Sequence, residues 1–164
     1  MIITGPKFKG MYQIEHIRNG EVIGKYDVPN GITNEGLNHI LGVEFSADTQ
    51  ITSWYIGLVD NSGFTAFAAG DTMSSHAGWS ENTDYDEVTR ESWGAGAAAS
   101  QQVTNATAAE FTINATVAIK GIFITSNNTK SGTTGTLWST AAFTSVINAV
   151  SSDTIRVTYT VTAS

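Results

Sequence analysis

Residues Thr154–Thr162, Thr-Ile-Arg-Val-Thr-Tyr-Thr-Val-Thr, decide the fold class. Ile155, Val157, Tyr159 and Val161 fall on one side of an extended chain, and Arg156, Thr158, Thr160 and Thr162 on the other. Successive side chains of a strand point to opposite faces, so this stretch is a strand with one buried and one wet face. That pattern belongs to antiparallel sheets.

Moving towards the N-terminus, Thr136–Ser139 reads as the start of a short strand, after a polar loop from Asn127 to Gly135. Val117–Thr125 and Glu110–Asn114 are two more strands. Ser53–Val59 is a buried strand closed by the turn Asp60-Asn61-Ser62-Gly63. Between them, from Phe64 to about Gln102, no strand period survives, and a loop of that length is expected to be functional or locally disordered. Near the start, Met11–Ile17 and Glu21–Val28 flank Arg18-Asn19-Gly20. Asn and Gly both tolerate positive φ, which makes this pair a strong hairpin signal. Thr33 or Asn34 can then cap a helix in which Leu37, Ile40 and Leu41 recur at helical spacing. Gly42 is positioned to end it after about two turns, so it is expected to plug one end of the fold. The reading is all-β: an antiparallel β-sandwich of jelly-roll or Greek-key type with one short helix. Residues 1–10 are read as an extended arm and 11–164 as a single domain.

Composition narrows the function. The 164 residues include no cysteine, which excludes disulfides and thiolate metal sites. No apolar run resembles a signal peptide or spans a bilayer, so a membrane role is not expected. The net charge of −7 argues against a nucleic-acid partner. The charge is uneven: Lys7, Lys9, Arg18 and Lys25 lie early, whereas Asp48, Asp60, Asp71, Glu81, Asp84, Asp86 and Glu87 face only Arg90 in the stretch from Glu44 to Glu91. Two surfaces of opposite sign can meet different partners, or each other in an oligomer; an ordinary solvated surface is the plainer reading.

A search for chemistry finds little. His16 and His39 lie in the hairpin and the helix, where packing explains them. His76 has Ser74, Ser75, Asp71, Asp84 and Asp86 nearby in sequence, yet no nucleophile elbow surrounds it. Asp84, Asp86 and Glu87, and the turn Asp60-Asn61-Ser62, are oxygen-rich as calcium requires, but neither has EF-hand spacing. Asn105, Asn114 and Asn127 head glycosylation triplets that a Thr-rich chain generates by chance. No catalytic residue, cofactor or metal is assigned. Trp54 and Tyr55 read as core. Trp79, Tyr85 and Trp93, in the aperiodic stretch, either fold back over the core or anchor an interface.

The pieces Asn34-Glu35-Gly36-Leu37-Asn38, Trp54-Tyr55-Ile56-Gly57-Leu58, Asp84-Tyr85-Asp86-Glu87-Val88-Thr89-Arg90, Gly121-Ile122-Phe123-Ile124-Thr125, Ser131-Gly132-Thr133-Thr134-Gly135-Thr136-Leu137 and Thr158-Tyr159-Thr160-Val161 extend over nearly the whole chain. Together they resemble small virion-associated cement (decoration) proteins of tailed bacteriophages. The resemblance implies a jelly-roll-like sandwich, made in the host cytoplasm and carried on the capsid exterior. It also implies contact with the phage major capsid protein, as a dimer or trimer, without catalysis. The interface candidates are Ile3, Lys7, Phe8 and Lys9 of the arm, expected to add a strand to a neighbour's sheet edge, with Trp79, Tyr85 and Trp93. Two other readings compete. One is a tail, fibre or vertex protein that stacks those rings on a host-surface glycan. The other is a polysaccharide hydrolase with its carboxylate pair among Glu81, Asp84, Asp86 and Glu87.

Overall fold

The structure is a computed structural model that describes residues 7–164. The first hairpin forms around the Asn-Gly pair: β1 (Phe8–Arg18) and β2 (Glu21–Pro29) are joined by Asn19 at φ 52° and Gly20 at φ 80°. Two consecutive positive φ angles match the right-handed twist of the flanking strands, and this is why Asn-Gly sits there. A short β3 (Gly31–Ile32) leads into α1 (Asn34–Phe45). The strand β4 (Trp54–Asp60) follows, then the short β5 (Glu81–Asn82), β6 (Glu91–Trp93) and β7 (Gln102–Thr104). The chain ends in β8 (Ala109–Thr112), β9 (Val117–Thr125), β10 (Leu137–Ala149) and β11 (Thr154–Ala163).

Two antiparallel sheets result. One runs β2-β1-β11-β7 with β8 also on β11; the other runs β3-β10-β9-β4-β5 with β6 also on β4. The β9–β10 hairpin lies in one sheet while β8 and β11, which bracket it in sequence, pair in the other. A hairpin folded over in this way gives the Greek-key relation of a β-sandwich. Ile155, Val157 and Tyr159 are completely buried, as the alternation of the last strand requires, and pack with Tyr12, Ile14, Ile56, Leu58, Ile122 and Ile124 between the sheets.

Polar groups pin the sheets together near one end. The Tyr12 and Ser139 hydroxyls lie 2.7 Å apart, and Trp138 Nε1 and Asn30 Nδ2 each donate to the Tyr159 hydroxyl at 2.9 Å. The Tyr12 and Tyr159 rings stack with centroids 4.3 Å apart. Burial pushes the Tyr159 phenol up to about 12 and raises Tyr12 well above the usual range, so both stay neutral donors. Helix α1 sits across this end. Thr33 caps it, accepting from Gly36 N at 3.0 Å and donating to the Leu137 carbonyl. Glu35 accepts from Leu137 N at 2.7 Å. Gly36 lies so close that a Cβ there would come within 2.6 Å of the Trp138 carbonyl oxygen.

Three expectations need correction. The helix does not stop at Gly42 but runs to Phe45 and is capped at Ser46, whose N–H bonds the Gly42 carbonyl. Helices commonly end at a residue in the left-handed region, which here is Ala47 at φ 57°, whereas Gly42 is not among the residues with positive φ. The strand expected at Thr136–Ser139 is the 13-residue β10. Its alternation is erased because Leu137–Ala141 are all buried and its register against β9 breaks between Ala142 and Ile147. The stretch 64–102 is tied down, by β5 and β6 on β4 and by bridges Tyr85↔Ile113 and Ala95↔Asn105.

The sandwich's open edges are blunted. Along β2, partners jump from Ile17↔Val22 to His16↔Gly24, leaving Ile23 as a bulge, and the strand ends at Pro29. β10 pairs with β3 only at Ser139 and Thr140, and its irregular stretch follows directly. Bulges and prolines of this kind oppose edge-to-edge pairing.

Candidate functional site

The residues singled out in the sequence separate into two groups. Ile3 lies outside the described residues. Lys7, Phe8 and Lys9 are exposed at the start of β1, where Lys7 and Ser164 exchange backbone hydrogen bonds of 2.6 and 3.0 Å. Trp79, Tyr85 and Trp93 are buried, which corrects their assignment as surface anchors. Each ring has an internal reason to be there. Trp79 packs on Phe123, stacks on His76 at 3.9 Å, and donates from Nε1 to Asp71 at 3.0 Å. Tyr85 meets Phe111 edge-on and carries the Lys130 ammonium 3.7 Å above its ring. Trp93 donates from Nε1 to the Tyr159 carbonyl at 3.0 Å, bridging the sheets. A glycan-stacking platform made of these three rings is therefore not on the surface.

The groups considered for chemistry are mostly engaged in structure. His76 Nδ1 lies 3.0 Å from the Trp79 carbonyl, and Ser74 bonds Thr72, so no Ser-His pair is assembled. Glu81 is held by Arg90, and both Glu87 oxygens accept from Thr112 N. Asp60 accepts from Ser62 N in its own turn. Among the described residues no group of three or more His, Asp or Glu side chains is arranged to hold a metal ion.

Two ionic clusters were not legible in the sequence. Arg90, a residue with no basic neighbour in its region, is completely buried against Glu81. Asp153, in the β10–β11 turn, accepts from Arg18 Nε and Nη2 at 2.8 and 2.7 Å and lies 2.7 Å from His16 Nε2. The Arg18 guanidinium foremost, with the Val150 N–H and His16, holds the Asp153 carboxyl well below the usual carboxylate range. These partners are over 130 residues apart in sequence, so no local pattern could announce them.

The surface that stands out is the helix end. Leu37, Leu41 and Phe45, at i, i+4 and i+8, are 39%, 55% and 79% exposed. The helix thus has two apolar faces. Ile40 packs on the core, while Leu37 and Leu41 are exposed. The second stripe was detectable only by continuing the spacing past Gly42 to Phe45. Beside it, a cleft of about 470 Å³ opens between the helix and the mouth of the sandwich, lined by Ile40, Val43, Trp54, Trp93, Val103 and Val161. Trp54 is half-buried there, edge-on to His39 at 5.7 Å. Glu44 also lines this cleft, and no Lys or Arg occurs between residues 34 and 53. Large contiguous apolar exposure on a soluble protein marks a contact surface.

Compared with known families, the chain matches no family model, and no curated protein matches it.

Proposed function

We propose that this protein is a bacteriophage capsid cement protein that binds the outside of the shell end-on, through helix α1 and the adjoining cleft, and stabilises contacts between major capsid proteins. The observation that carries the reading is the outward apolar stripe of Leu37, Leu41 and Phe45 on a body whose other large hydrophobic groups are mostly inside. A rigid sandwich with one adhesive end suits a clamp, because a second contact made by an already bound protein is intramolecular and gains from effective concentration. The resemblance of the sequence pieces to virion cement proteins supplies the partner. Strand addition at an edge is less suitable, since both long edges are blunted by bulges.

The test is the copy number in purified virions, by quantitative mass spectrometry against the major capsid protein. A ratio near one, or a simple fraction of it, is expected. A trace amount would relocate the protein to the tail or a unique vertex, and its absence would overturn the structural role.

A further inference from the structure

The chain contains the dipeptide Asn-Gly twice, at Asn19-Gly20 and at Asn30-Gly31. Asparagine is thermolabile, and most so before glycine, which has no side chain to shield its backbone nitrogen from the neighbouring amide carbon. The fold treats the two copies in opposite ways. Asn30 is locked: Nδ2 donates to the Tyr159 hydroxyl at 2.9 Å, Oδ1 is buried, and the backbone N donates to the Gly10 carbonyl at 3.1 Å. Gly31 is held in β3 opposite Thr140. Bringing the Gly31 nitrogen onto the Asn30 side chain would break these contacts first. Asn19 and Gly20 are instead the two exposed residues of the β1–β2 turn, beyond the last pair Arg18↔Glu21. A Cβ at Gly20 would meet nothing within 4 Å, so the approach to this turn is open. β2 is the edge strand of its sheet, so the turn can open while β1 keeps its pairing with β11.

We propose that Asn19 is a site of spontaneous covalent modification, where the folded protein converts the side-chain amide to isoaspartate while Asn30 is protected. The Gly20 amide loses its proton to base, and its nitrogen bonds to Cγ of Asn19. The bond from Cγ to Nδ2 breaks, and Nδ2 leaves as ammonia with a proton from water. Water then opens the five-membered imide. Opening at the main-chain carbonyl gives isoaspartate, and opening at Cγ gives aspartate; nothing is oxidised or reduced. Isoaspartate adds a carbon to the main chain of a two-residue turn whose geometry matches its strands closely. It also places a new carboxylate beside Arg18, which holds Asp153 through two hydrogen bonds. The modified turn therefore competes for the guanidinium that ties the first hairpin to the β10–β11 turn. The site is independent of which partner the protein binds.

The experiment is to age the purified full chain, folded, in warm and mildly alkaline buffer, with a parallel sample unfolded in urea. Peptide mapping by mass spectrometry, with the two Asn-Gly bonds in separate peptides, follows amide loss at each. Enzymatic methylation of isoaspartyl carboxyls identifies the product. In the folded sample Asn19 should convert about tenfold faster or more than Asn30, because Asn30 must first be freed by local opening. In urea the two should convert at similar rates, which assigns the difference to the fold. Isoaspartate should exceed aspartate at Asn19. Aged wild type should unfold at a lower temperature than fresh protein, whereas Asn19→Gly, which keeps a turn tolerant of positive φ, should not change on ageing. Equal rates at Asn19 and Asn30 in the folded chain would overturn the proposal. So would an Asn19 that stays intact while the urea sample converts, or a product that is aspartate alone.

Discussion

Arg90 is sealed inside the protein with Nε and Nη2 each 2.8 Å from an oxygen of Glu81. Two more of its donors go to the Asn127 and Gly132 carbonyls at 2.8 and 3.0 Å, and the guanidinium lies over the Phe123 ring. One side chain thus ties the 64–102 stretch to the 127–135 loop. Removing one partner of a buried pair strands the other charge, which typically costs about 3–5 kcal/mol. Arg90→Met should lose stability of that order in urea unfolding, and Glu81→Gln should do likewise. The double replacement should lose less than the two single losses added together.

Asp153 gives the acid limb of stability a specific origin. Its carboxyl is depressed in the folded protein, above all by Arg18. The favourable contribution is present above the unfolded carboxylate pKa of about 3.9 and disappears as pH falls below it towards the depressed folded value. Asp153→Asn should therefore flatten the loss of stability below about pH 4. Unfolding curves collected from neutral pH downward would check this; an unchanged acid slope would assign the effect to other carboxylates.

Gly36 marks where α1 meets the sandwich. Ala at this position would put a methyl against the Trp138 backbone, which has no flexible atom to move aside. Gly36→Ala should destabilise by roughly 1–3 kcal/mol despite alanine's better helix propensity. Thr33→Ala should lose about 1–2 kcal/mol through the cap. Thermal unfolding of both variants would measure this.

Trp79 and Phe45 should respond in opposite ways. Trp79→Ala empties a buried site and should cost roughly 3–5 kcal/mol. Phe45→Ser touches an exposed ring and should change stability by no more than about 0.5 kcal/mol. The same change should reduce binding of an apolar dye and of capsids. A Trp79 variant of normal stability that failed to bind capsids would return that ring to the interface.

How far the sequence announced the structure depended on the range of the signal. The Asn19-Gly20 hairpin, the alternation of Thr154–Thr162 and the bounds of Val117–Thr125 are local properties, and the structure has them where expected. β10 was truncated in the reading because a strand buried on both faces and then bulged shows neither alternation nor a clean apolar run. The anchors of the 64–102 stretch were invisible because Arg90, Asn127 and Gly132 meet only after the sheets form. Leu37 and Leu41 were correctly placed on a helix, but hydrophobic spacing gives the period of a helix and not which stripe meets the core.

The bulge at Ile23, the terminal Pro29 and the broken register of β10 also bear on how many copies can gather without trouble. Proteins held side by side on a surface at high density are under constant pressure to zip their sheets into fibres. A body whose long edges are bulged and broken in register opposes such pairing. It can be crowded heavily and still form discrete units rather than polymerise.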